Sequence, residues 1–72
     1  MIRLGVHLVS AAKQAALQLD KATLRSIMFS HGSANFVVSL DGPETNDDRY
    51  LGQIDAEPSF YLFARPASRV TH

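Results

Sequence analysis

Hydrophobic and polar positions alternate at the start of the chain. From Ile2 to Val9 the aliphatic side chains occupy every second position up to Leu8, with arginine, glycine and histidine between them. Period-two alternation is typical of a strand with one buried and one wet face. The pattern predicts a first strand over residues 2–9. It disfavours a secretory signal peptide, because Gly5 and His7 interrupt the apolar stretch.

The next segment, residues 11–31, is rich in helix-forming residues and contains neither glycine nor proline. Leucine, isoleucine and methionine recur in it at helical spacing, and Gly32 follows as a residue that commonly ends a helix. Asp20 leaves two alternatives open. It lies within one long helix, or it is the N-cap of a second short helix that begins at Lys21.

The second half of the chain has the composition of strands separated by turns. Asp41 to Asp48 is an acidic, turn-forming loop, and Gly52 suggests a β-bulge or a close backbone approach. The predicted strands are residues 35–40, 49–54 and 59–64.

This order of elements, β-α-β-β-β, predicts an α+β domain. We expect a small antiparallel sheet with one long or two short helices packed on one face. A chain of 72 residues has no room for two independent cores. Residues 1–66 are therefore assigned to a single domain and residues 67–72 to a flexible C-terminal tail.

Composition adds expectations about location and association. The chain has no cysteine, which excludes a disulfide framework and fits a cytoplasmic protein. No apolar run reaches the length that a membrane helix needs. Residues 1–31 hold four basic residues against one acid, whereas residues 32–72 hold three against six. A core this small is marginally stable, so burial against a second copy of the chain is expected to help.

Residues that could carry catalysis or bind metal are few and scattered. The three histidines, His7, His31 and His72, lie far apart in the sequence, and no phosphate- or nucleotide-binding motif is present. The acids of the 41–48 loop do not have the spacing of a calcium-binding loop. We therefore expect no enzyme activity, no cofactor and no metal site.

DNA binding is the alternative function. If Asp20 divides the helical segment, two helices followed by a hairpin look like a winged helix-turn-helix. The would-be recognition helix offers Lys21, Thr23 and Arg25. Phosphate neutralisation supplies most DNA affinity, however, and the would-be wing carries four acids. The sequence therefore favours DNA binding less than protein contact.

Protein contact is indicated by four consecutive bulky residues, Phe60 to Phe63. A strand points alternate residues to opposite faces, so two of the four must face away from a helix that covers one side. Unless the tail or the first strand covers that pair, it is exposed, and such surface usually marks an interface. The expected partner-binding residues are Arg49, Tyr50, Phe60, Tyr61, Phe63 and Arg65. The sequence thus predicts a small regulatory or adaptor protein that binds a protein partner or itself, through this sheet face or by strand addition.

Overall fold

The architecture is a four-stranded antiparallel sheet with a helix packed on one face. The computed structural model describes residues 4–67, with the elements α1 (Val6–Ala16), β1 (Ser26–His31), β2 (Ala34–Ser39), β3 (Arg49–Ile54) and β4 (Phe60–Arg65). The strand order in the sheet is β1-β2-β4-β3. The predicted α+β class is confirmed. The predicted order of elements is wrong, because the helix comes first and four strands follow it.

The strand predicted over residues 2–9 is instead the start of α1. Leu8, Ala12 and Ala16 recur every fourth residue, and Ala12, Ala15 and Ala16 are buried. Small side chains on this stripe allow the helix to pack closely against the sheet. The helical period continues beyond Leu8 through Ala12 and Ala16, whereas the period-two alternation ends at Leu8. Alanine contributes little to a hydrophobic pattern, and for this reason the alternation of the larger residues favoured a strand.

The helix predicted over residues 11–31 ends early, and neither the one-helix nor the two-helix alternative is correct. α1 stops at Ala16, and a tight turn follows. In that turn Asp20 exchanges backbone hydrogen bonds with Leu24 at 2.7 and 2.9 Å, and its carboxylate accepts the Ala22 N–H at 2.7 Å. The carboxylate therefore stabilises a turn rather than the first turn of a second helix.

β1 pairs along its whole length with β2, and within it the half-buried Ile27, Phe29 and His31 alternate with the exposed Met28 and Ser30. His31 pairs with Ala34, so that Gly32 and Ser33 form a two-residue hairpin loop. Gly32 has φ of 64°, as the first position of a type II′ turn requires. Gly32 therefore closes a hairpin, whereas the sequence predicted that it would end a helix.

The three later strands are confirmed. β3 has the predicted bounds, and β2 and β4 are each displaced by one residue from theirs. The register between β3 and β4 shifts between Tyr50 and Gly52, which confirms the irregularity expected at Gly52. The tail assigned to residues 67–72 lies, apart from Ala67, outside the described residues.

Both faces of the sheet are covered. Between α1 and the sheet, the buried core consists of Ala12, Ala15, Ala16, Val38, Ile54, Phe60 and Leu62. Val37 and Phe63 point to the opposite face and are also buried. Because β4 lies between β2 and β3, the 40–48 connection must pass over β4 to reach β3. This crossover loop takes the place of a second layer on the face that the helix leaves free.

Candidate interaction surfaces

Arg65 anchors the crossover loop to the sheet. Its Nε and Nη2 donate hydrogen bonds to the two Asp48 carboxylate oxygens at 2.8 and 2.9 Å, and Nη2 also donates to Glu44 at 2.9 Å. The Asp48 side chain is fully buried. The hydrogen bond from Arg65 holds the pKa of Asp48 well below its usual range, and the same bond raises the pKa of Arg65. Arg65, predicted to bind a partner, is thus engaged within the fold.

Asp48 also organises the loop itself. Its Oδ2 accepts the backbone N–H groups of Glu44 at 2.9 Å and Thr45 at 3.2 Å. Glu44 in turn accepts a hydrogen bond from the Ser26 hydroxyl on β1. The loop therefore contacts side chains from both β4 and β1, and it spans the helix-free face between them.

The four bulky residues Phe60 to Phe63 are mostly buried, and the expectation of an exposed pair does not hold. Phe60 and Leu62 belong to the core beneath α1, Phe63 is only 4% exposed on the opposite face, and Tyr61 is half-buried. The expectation assumed that a single helix was the only available cover. The crossover loop supplies the second cover, so Phe60 and Phe63 are not presented to a partner.

Tyr50 on β3 and Tyr61 on β4 form a tyrosine pair at the surface. Tyr50 is 58% exposed. Its ring centroid lies 6.3 Å from that of Tyr61 and 5.8 Å from that of Phe63, edge-on to the latter. Arg49, the neighbouring residue, is exposed. Of the predicted partner-binding residues, Arg49 and Tyr50 are exposed, and Tyr61 and Arg65 are half-buried.

The residues of the DNA-binding alternative do not lie on a helix. Lys21 and Thr23 are exposed in the turn between α1 and β1. Arg25 donates hydrogen bonds to Asp41 at 2.7 and 2.5 Å and a third to the Lys21 carbonyl. The bond with Asp41 raises the pKa of Arg25 and lowers that of Asp41. The three residues are therefore not arranged as a recognition helix is.

Sequence reasoning missed the outer edge of β1. Leu40 donates its N–H to the Arg25 carbonyl at 2.8 Å, and inward- and outward-facing residues alternate along an antiparallel pair. Ile27, Phe29 and His31 therefore direct their backbone N–H and C=O groups towards β2. Ser26, Met28 and Ser30 direct theirs outwards. Within residues 4–67, β1 pairs with β2 alone, so these three residues present an unpaired row of donors and acceptors.

The β1 edge lacks the features that usually prevent strand addition. Such features are charged residues, proline and β-bulges, and Ser26–His31 contains no Lys, Arg, Asp, Glu or Pro and pairs with β2 in unbroken register. Met28, at its centre, is 51% exposed. The opposite edge, β3, begins with Arg49 and carries the irregularity at Gly52. The two edges of the sheet therefore differ in how readily they accept another strand. The signal available in the sequence was the Gly32-Ser33 pair between two short apolar stretches.

The side chains that could bind a metal ion are dispersed over the part of the chain that the structure describes. No three His, Asp or Glu side chains in it come close enough together to hold a metal ion. His7 lies exposed on α1, and His31 lies at the end of β1. The helix in this part of the chain does not have the length and apolar character needed to cross a membrane.

Comparison with known proteins gives no relative: no family model, curated protein or solved structure matches this chain.

Proposed function

We propose that this chain is a small, non-enzymatic regulatory or adaptor protein of the cytoplasm that acts by protein–protein contact, and that its binding surface is the outer edge of β1. The observation that carries the proposal is the row of outward N–H and C=O groups at Ser26, Met28 and Ser30, which lacks the usual protection. Extended segments bind such edges by adding a strand, with main-chain hydrogen bonds supplying affinity.

The surroundings of this edge support the proposal. The Met28 side chain is half-exposed beside it, and methionine adapts to partners of different shape. The crossover loop holds Ser26 from one face through Glu44, while α1 packs against β1 on the other. The strand is therefore fixed in an extended conformation before a partner arrives, which lowers the entropic cost of binding.

The experiment immobilises three forms of this protein and compares the sets of proteins that each one binds from a native extract of the source cells. The three forms are the wild type, Met28→Pro and, as a matched control on the opposite edge, Tyr50→Ser. Proline at an outward position removes one donor of the open edge without removing a bond of the β1–β2 ladder. Circular dichroism establishes that each variant is folded.

We expect proteins that the wild type and Tyr50→Ser retain and that Met28→Pro does not. A set of bound proteins that Met28→Pro leaves unchanged contradicts the proposal. Loss of the bound proteins from Tyr50→Ser but not from Met28→Pro also contradicts the proposal, because the binding surface is then the tyrosine pair.

A further inference from the structure

We infer that the strand received by the β1 edge is β1 of a second copy of this chain, paired antiparallel about a two-fold axis at Met28. The inference rests on the proposed function, because it names the occupant of the same edge. A two-fold axis makes each chain's edge both donor and acceptor, so that neither edge is left open in the pair.

The positions of the outward groups select this register. Bonds form where an outward residue of one strand lies opposite an outward residue of the other, and each such pair exchanges two hydrogen bonds. With Met28 opposite its counterpart, Ser26 lies opposite Ser30 of the second copy and Ser30 opposite Ser26. All three outward residues are then paired, for about six hydrogen bonds. A shift by two residues in either direction leaves about four.

The side chains of β1 are complementary to themselves in the same register. On the face that the crossover loop covers, Met28 lies opposite Met28 of the second copy, and Ser26 lies opposite Ser30. On the face of α1, Ile27 lies opposite Phe29 of the second copy, and aromatic side chains pair favourably with β-branched ones across strands. Ser26–His31 contains no Lys, Arg, Asp or Glu, so no such charge faces a like charge within the strand pair.

Charge at the ends of the paired strands is also compatible with a second copy. Arg25 precedes β1 and lies opposite His31 of the other chain in this register. Its guanidinium is already bonded to Asp41 in its own chain, at 2.7 and 2.5 Å. The Arg65 guanidinium, whose Nη1 lies 3.7 Å from the Met28 sulfur, is likewise bonded to carboxylates of the crossover loop. Both cations are therefore balanced before the two chains meet, and they do not oppose the approach of the second copy.

Engineered cysteines test the register directly, because the chain contains none of its own. A disulfide requires Cα atoms within about 7 Å, and directly opposed residues of an antiparallel pair are about 5.5 Å apart. Met28→Cys is therefore expected to form a disulfide-linked dimer on mild oxidation. Ser26→Cys and Ser30→Cys are each expected to form no disulfide link, because within the dimer each cysteine lies about 13 Å along the strands from its own counterpart. A mixture of these two variants is expected to form the mixed disulfide.

Sedimentation of the wild type up to about 1 mM gives the oligomeric state independently. We expect a dimer whose dissociation constant rises at least about tenfold in Met28→Pro and does not change in Tyr50→Ser. A wild type that stays monomeric throughout overturns the inference. If Met28→Pro nevertheless loses retained proteins, the proposed function stands and the occupant is a different protein. A dimer in which Ser30→Cys crosslinks as fast as Met28→Cys overturns the register.

Discussion

The Arg65 guanidinium donates two hydrogen bonds, at 2.8 and 2.9 Å, to a carboxylate 17 residues away, that of Asp48. Arg65 ends β4, and Asp48 ends the loop that crosses β4. The pair therefore joins the central part of the sheet to the segment that covers it. Planar, bidentate contacts of this kind are among the strongest hydrogen bonds between side chains.

Removing the charge of Asp48 should destabilise the fold. Asp48→Asn retains the shape of the side chain but loses an ionic acceptor for Arg65 and for two loop N–H groups. We expect the free energy of unfolding to fall by about 1.5–3 kcal/mol, measured by urea denaturation. Asp47→Asn is the control, because Asp47 is exposed, and it should change stability by less than about 0.5 kcal/mol. Equal effects of the two variants would show that the ion pair does not hold the loop.

Acid should weaken the wild type more than Asp48→Asn. The pKa of Asp48 in the folded protein is below the value of about 3.9 found in unfolded chains. Its contribution to stability is therefore fully present above that value and is lost as the pH falls towards the folded pKa. We expect the difference in unfolding free energy between wild type and variant to shrink between about pH 5 and pH 2. A difference that stays constant over this range would argue against a charged Asp48 as its source.

Phe63 and Tyr50 should respond differently to truncation, although their rings are in contact. Phe63 is 4% exposed and Tyr50 is 58% exposed. Phe63→Ala should cost about 3–5 kcal/mol, as for a buried phenylalanine, and Tyr50→Ala less than about 1 kcal/mol. Thermal unfolding followed by circular dichroism measures both. A mild effect of Phe63→Ala would indicate that the crossover loop does not seal this face in solution.

Gly32 should not tolerate a side chain. An added Cβ meets no atom within 4 Å, but the residue has φ of +64°, where a side chain is strained by about 1–2 kcal/mol. Gly32→Ala should lower the unfolding free energy by about that amount. Gly42→Ala, at a glycine equally free of close neighbours and without a positive φ, is the control and should have little effect. Equal stability of Gly32→Ala and wild type would contradict the type II′ hairpin.

The strands of the second half were predictable because β-branched and aromatic stretches there are bounded by turn residues. The first half was not, since its local signals are ambiguous. A glycine with positive φ serves both a helix end and a hairpin, and at Gly32 the choice depends on pairing between β1 and β2. Such pairing is a property of tertiary structure, which overrides local propensity.

For the candidate site, the sequence predicted strand addition as a mode of binding but did not predict which strand has the open edge. Strand addition was among the predicted binding modes, but the sequence placed it on the Phe60–Phe63 segment. The burial of Phe63 depends on the crossover loop, and the crossover depends on strand order, which hydrophobic periodicity does not encode. The open edge of β1 went unseen because residues 26–31 were predicted to be helical.

The place of β4 between β2 and β3 has a consequence for synthesis. The β1–β2 hairpin is synthesised before Phe60. Until β4 is available, β2 therefore lacks its second neighbour in the sheet, and β3 has no neighbour. The sheet closes only when the fourth strand inserts between two segments already made. Until β4 inserts, the chain therefore carries more than one unpaired strand edge, and it is then most exposed to aggregation.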